Sequence, residues 1–205
     1  GGYYYFFMNK DKKEEIATYN TKKVTKGDLS VVVSATGNLN PTNSVDIGIE
    51  VSGTIKEIYV DFNDEVEIGQ VLAKLDTTKL QSEVDSLRAS LTIAKANQKE
   101  SEVGLRSKKS IYDRTLKMYK SSNGKYPSIN ELDDTKFTYE TAISNLDATK
   151  AKVEQAIYNL KTAQQNLDKA VVKSSIKGIV LNKEIEVGQT VAATMSTPTL
   201  FTLAK

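Results

Sequence analysis

Hydrophobic side chains recur along this chain with two different periods. From residue 77 to residue 120, alternate steps of four and three land on Leu80, Val84, Leu87, Leu91, Ala94, Gln98, Ser101, Leu105, Lys108, Tyr112, Thr115 and Tyr119, eight of the twelve being apolar. From 130 to 172 the same walk lands on Leu132, Lys136, Tyr139, Ile143, Leu146, Lys150, Val153, Ile157, Leu160, Gln164, Leu167 and Val171, nine of the twelve apolar. A seven-residue repeat sustained this long predicts a coiled coil, because about 3.5 residues per turn keep one stripe on the partner helix. Gly104 is the one Gly or Pro in either segment. Between them, Lys120-Ser121-Ser122-Asn123-Gly124-Lys125-Tyr126-Pro127-Ser128 carries turn chemistry. So short a connection makes the helices antiparallel neighbours, and about 44 residues at ~1.5 Å each carry the hairpin tip ~65 Å from its base.

On either side of this hairpin the period falls to two. Upstream, Ser52-Gly53-Thr54-Ile55-Lys56-Glu57-Ile58-Tyr59-Val60 alternates, a turn follows at Asn63-Asp64, and Val66-Glu67-Ile68-Gly69-Gln70-Val71-Leu72 comes next. Downstream stand Lys177-Gly178-Ile179-Val180-Leu181 and Ile185-Glu186-Val187-Gly188-Gln189-Thr190-Val191, then Leu200-Phe201-Thr202-Leu203. Gly, strand, apolar-Glu-apolar-Gly-Gln turn and strand recur in the same order, so the hairpin splits an internal repeat in which Gly69-Gln70 matches Gly188-Gln189. Residues 24–39, with Val31 to Val33 as a short apolar run, also read as strand. The opening Tyr3-Tyr4-Tyr5-Phe6-Phe7-Met8 is too short to span a bilayer but, followed at once by charges, reads as the interfacial remnant of a membrane anchor, with an edge strand as the alternative, and then a polar tether.

Composition narrows the function. With no His and no Cys among 205 residues, a Ser-His-Asp triad, a Cys nucleophile and His- or Cys-ligated metals are excluded. Adjacent acidic pairs such as Asp133-Asp134 fall on a helix start, tether or turn and predict no opposed carboxylates. Net charge is +2 over 54 charged residues, which gives no field that would gather nucleic acid.

Two half-motifs of this kind with a helical hairpin between them resemble the periplasmic adaptors, or membrane fusion proteins, of efflux pumps. The stretch Val45-Asp46-Ile47-Gly48-Ile49-Glu50-Val51-Ser52-Gly53-Thr54-Ile55-Lys56 is similar to their MacA-like branch. The resemblance implies an α+β fold: a biotinyl/lipoyl-like β-sandwich split by a long antiparallel coiled-coil α-hairpin, plus partial strands of a membrane-proximal or β-barrel domain. The expected organisation is anchor remnant and tether at 1–23, membrane-proximal strands at 24–44, first lipoyl half at 45–76, hairpin at 77–172 with its tip near 119–130, and second lipoyl half at 173–205. Further strands are expected beyond Lys205.

The resemblance also implies a role without catalysis, cofactor or metal: a six-membered ring in the periplasm, anchored to the inner membrane, bridging a MacB-like ABC transporter to a TolC-like outer-membrane channel for drug or peptide export. Adaptors that dock on such channels carry Tyr-x-Arg-x-x-x-Leu and a following Ser at the tip. Tyr112, Arg114 and Met118 occupy the first three places, and Ser128 the last if the turn is three residues longer. Gln189 is the counterpart of the Gln that projects into the ring as a channel gate. The alternatives are an adaptor of an RND pump, of type I secretion or of a single-membrane ABC exporter, and, in a different class, a biotinyl or lipoyl carrier modified at Lys79.

Overall fold

The computed structural model describes residues 17–38 and 43–205, and the chain divides into two units, Gly1–Leu39 and Asn40–Lys205. The expected anchor remnant at residues 1–8 and the first part of the tether, through residue 16, lie outside the described residues. In the first unit, residues 17–38 form neither helix nor strand, and Val24, Leu29, Val31, Val32 and Val33 are all exposed. The strand expected over 24–39 is therefore absent from its described part. The apolar run is there, but no ladder pairs its backbone, and a lone strand leaves N–H and C=O groups to solvent.

The second unit contains β1 (Ser44–Gly48), β2 (Gly53–Ile58), β3 (Glu65–Val66), β4 (Val71–Leu75), α1 (Thr78–Ser121), α2 (Ile129–Lys169), β5 (Val171–Lys173), β6 (Gly178–Lys183), β7 (Thr190–Val191) and β8 (Thr199–Ala204). The strands form two antiparallel sheets in the orders β1-β8-β6-β3 and β5-β4-β2-β7. Exchanging β1 with β5, β2 with β6, β3 with β7 and β4 with β8 converts one order into the other. Each half of the chain thus contributes two strands to both sheets, and neither half can close a core without the other. That core is Ile47, Ile55, Leu72 and Leu75 from the first half with Val180, Leu200, Phe201 and Leu203 from the second.

The halves superpose at a register different from the one the Gly-Gln motif suggests. At one constant spacing along the chain, buried Ile47, Ile55, Val60 and Val66 answer to buried Val172, Val180, Ile185 and Val191. Gly53 and Gly178 correspond as well: a Cβ on Gly178 would stand 1.9 Å from the Ala204 carbonyl oxygen, and one on Gly53 2.7 Å from Leu75 Cδ2. In this register the partner of Gly188-Gln189 is Asn63-Asp64, not Gly69-Gln70. Asn63 and Gly188 both take left-handed backbone, φ 70° and 87°. Asn, which tolerates that conformation, stands in for Gly, so the equivalence leaves no trace in residue identity.

The seam on α1 follows the sequence walk, with Val84 buried and every other walk position except exposed Lys108 half-buried. On α2 one of two alternating layers is displaced. Leu132, Tyr139, Leu146, Val153, Leu160 and Leu167 face α1 as expected, but the intervening layers are Thr135, Ala142, Thr149, Ala156 and Ala163, one residue before the expected Lys136, Ile143, Lys150, Ile157 and Gln164. Small side chains let the helix backbones approach, and Ile143 and Ile157 remain 36 % and 43 % exposed on the flank. The helix also ends earlier than residue 172. Lys169 is its last residue, Ala170 is fully buried, and the expected seam residue Val171 pairs with Lys74 of β4 instead. The β-branched pair Val171-Val172 suits a strand, and the sheet supplies its ladder.

α2 starts on a side-chain cap, whereas Thr77 at the start of α1 makes no such bond and the preceding Asp76 ties the first turn instead. Asp76 Oδ1 accepts from the Thr78 N–H at 2.9 Å and the Thr78 hydroxyl at 2.7 Å. Ser128 Oγ accepts from the Glu131 N–H at 3.2 Å.

Candidate functional site

The tip is built by residues 122–128. After α1, the N–H of Ser122 bonds to the Met118 carbonyl and that of Gly124 to the Tyr119 carbonyl, while Asn123 and Gly124 adopt left-handed backbone. This ends a helix whose last carbonyls would otherwise lack donors. The Ser122 hydroxyl then ties the return: it accepts from the Tyr126 N–H at 2.8 Å and donates to the Tyr126 carbonyl at 2.6 Å. Pro127 is buried beneath. The result is a braced cap whose exposed apolar groups are Met118, Tyr126 and Ile129 at 42 %, 63 % and 53 %.

The four expected tip residues divide by role. Tyr112 is half-buried and stacks on Tyr139 across the seam with centroids 5.7 Å apart, so its ring holds the two helices together. Ser128 spends its hydroxyl on the start of α2. Arg114 and Met118, one helical turn apart on α1, are exposed, and among the described residues Arg114 has no ion-pair partner. Two of the four therefore face solvent with nothing to do inside the molecule. Tyr126 and Ile129 join them, and their bulk beside the Pro-containing turn was the signal in the sequence.

Gln189 sits in the sandwich, far along the unit from the tip. Its Oε1 accepts from the Glu186 N–H at 3.1 Å and its N–H donates to the Glu186 carbonyl. Gln70 does the same to Glu67, and Asp64 Oδ2 accepts from the Asp61 N–H at 2.8 Å. Three turns share one device, in which a side-chain oxygen closes the turn from its last residue. The Phe62 N–H, and after it Lys183 at 3.4 Å, hold the Asp61 carboxyl below the usual carboxylate range. The Gln189 side chain is exposed, and capping engages its carbonyl oxygen. Lys79 lies in the first turn of α1, not in the tight hairpin between strands that a carrier lysine requires.

A sandwich of two interleaved halves with a coiled-coil hairpin between them defines a membrane fusion protein. Residues 43–203 match the barrel-sandwich hybrid domain of RND membrane fusion proteins, and the chain belongs to this family. The chain is similar to the macrolide export protein MacA of Yersinia pestis, 40 % identical over 73 residues that make up 36 % of this chain and 20 % of that protein. It is 37 % identical over 78 residues to the pyoverdine export membrane fusion protein PvdR of Pseudomonas aeruginosa, covering 38 % of this chain and 20 % of that one. The crystal structure of MacA from Actinobacillus actinomycetemcomitans superposes with a TM-score of 0.75 at 30 % identity, over 80 % of this chain and 50 % of that chain. The chain thus spans a fifth of the length of these curated relatives and half of the solved MacA.

Proposed function

We propose that this protein is the adaptor of a MacA-like export assembly, anchored at the inner membrane and joining an ABC transporter there to a TolC-like channel in the outer membrane, with copies arranged as a six-membered ring. The carrying observation is the hairpin itself: ~65 Å of stiff helix pair ending in a braced cap whose Arg114 guanidinium has no partner among the described residues. A planar guanidinium on a rigid arm suits carboxylates or carbonyls on another protein's tips, which it can grip with two parallel hydrogen bonds. Likeness to MacA and PvdR, both export proteins by name, supports the direction of transport.

In this arrangement the sandwiches line a duct, and Gln189, one amide nitrogen left over from its cap, stands as the gate. Arg114→Asp tests the docking half of the proposal. It should leave folding and transporter binding intact while abolishing efflux and co-purification of the outer channel, and unchanged channel co-purification would remove the tip from the docking site.

One observation favours a second reading. Ser128 is consumed as a helix cap after a turn three residues longer than the docking pattern, which suits a hairpin of another transporter class, or of a single-membrane exporter, ending on a different surface.

A further inference from the structure

Only one Asn in the sequence is followed by Gly, and that pair, Asn123-Gly124, stands at the crown of the tip. Glycine serves the turn there: its φ is 79°, and a Cβ would come 3.2 Å from the Tyr119 hydroxyl oxygen. The same glycine leaves the backbone nitrogen after Asn123 with no side chain to shield it. That is the arrangement in which an asparagine side-chain amide is attacked by its own main chain.

The reaction balances with water as the only other reactant. Hydroxide takes the Gly124 N–H proton, the nitrogen bonds to Asn123 Cγ, and the Cγ–Nδ2 bond breaks, its nitrogen leaving as ammonia after taking a proton from water. The five-membered succinimide then takes up water. Opening at Cγ gives aspartate, and opening at the Asn123 main-chain carbonyl gives isoaspartate, in which the chain runs through the former side chain and gains a methylene.

The electrostatics of the tip favour the first step. Between Arg114 and Asn130 the sequence holds Arg114, Lys117, Lys120 and Lys125 and no acidic residue. All four are exposed, and positive charge stabilises the amide anion that attacks. The fold opposes the same step. The Gly124 N–H donates to the Tyr119 carbonyl at 2.9 Å, the Asn123 N–H donates to the Lys120 carbonyl at 3.2 Å, and the Ser122 hydroxyl keeps the turn closed through its two bonds to Tyr126. The attacking nitrogen must first leave Tyr119, so the reaction runs through the fraction of tips that are open.

We propose that Asn123 is a site of spontaneous deamidation and isomerisation whose rate is set by opening of the cap, so that an unbraced tip acquires the only carboxylate between Arg114 and Asn130. Either product puts a negative charge inside a basic crown, and the added methylene of isoaspartate displaces the Gly124 N–H from Tyr119. In the docking reading above, that anion competes with the channel for the crown's cations. This consequence rests on the docking reading, whereas the chemistry does not.

Trypsin releases Ser121–Lys125 as one peptide, so mass spectrometry reads the amide-to-acid change and the isomer directly. In full-length protein kept at mildly alkaline pH, Asn123 should convert about tenfold or more slowly when folded than in urea, and Ser122→Ala should raise the folded rate about tenfold. Equal rates in folded and urea-unfolded protein, or equal folded rates with and without the Ser122 hydroxyl, would overturn control by the cap. An unchanged peptide in all three samples would overturn the site. Asn123→Asp should lower co-purification of the outer-membrane channel at unchanged helicity. If it does not while Arg114→Asp does, the charge consequence is overturned; if neither does, the docking reading fails and the site, read by mass, stands.

Discussion

Asp64, Gln70 and Gln189 each close a turn through a side-chain oxygen, and only in Gln189 does the family resemblance ask for anything further. Gln70→Ala and Gln189→Ala should each cost about 1 kcal/mol in denaturant unfolding, since each removes one hydrogen bond at an exposed turn. If Gln189 also gates the duct, its variant alone should change transport while assembly is spared; loss of the ring would assign that turn to packing. Asp76 gives a pH signature. Hydrogen bonds donated to its carboxylate by the Thr78 N–H first, and then by the Thr78 hydroxyl, lower the Asp76 pKa in the folded chain. Its stabilisation is therefore complete above the unfolded value of ~3.9 and is lost as pH falls through the lower folded value. Thermal melting between about pH 5 and about pH 2 should show that loss, and Asp76→Asn should flatten it. The residues that cap turns were visible in the sequence as turn formers, yet Asn63-Asp64 concealed its kinship with Gly188-Gln189 because the backbone conformation repeats and the side chains do not.

At the scale of elements, the hairpin was legible from spacing and its α2 register was not. Ile143 and Ile157 outweigh Ala142 and Ala156 in any hydrophobic count, but antiparallel helices that pack closely select small side chains for the seam and leave larger ones to cover its flank. Two substitutions distinguish the registers. Ala156→Leu should overpack the seam and cost about 1–3 kcal/mol, whereas Ile157→Ala, at a site already 43 % exposed, should cost under about 1 kcal/mol; the reverse order in thermal or urea melts would restore the sequence-based seam. Val153 is buried in either register, so Val153→Pro should cost about 3 kcal/mol or more and lower helicity by circular dichroism. The strand expected over residues 24–39 does not form in the described residues 17–38, because an apolar run such as Val31 to Val33 marks a segment able to pair and carries no information about a partner.

At the scale of the whole molecule, the interleaved sheets explain how so long an insertion is tolerated. α1 leaves β4 and α2 returns to β5, and these strands are hydrogen-bonded neighbours, so the hairpin enters and exits through one short opening. The arm can then vary in length or tip without disturbing the core. Lys169 of α2 and Glu50 of the sandwich form an ion pair at 2.5 Å where arm meets body. An arm whose two helices enter and leave through paired strands holds its base in a set position, as the proposed bridging role would require. The most direct test is to crosslink the full-length protein in intact cells, purify it and identify its partners by mass spectrometry. An ABC transporter and an outer-membrane channel should be recovered together, with only the channel lost in Arg114→Asp. Recovery of an RND transporter, or of a transporter with no outer-membrane protein from wild type, would contradict the proposed bridging role.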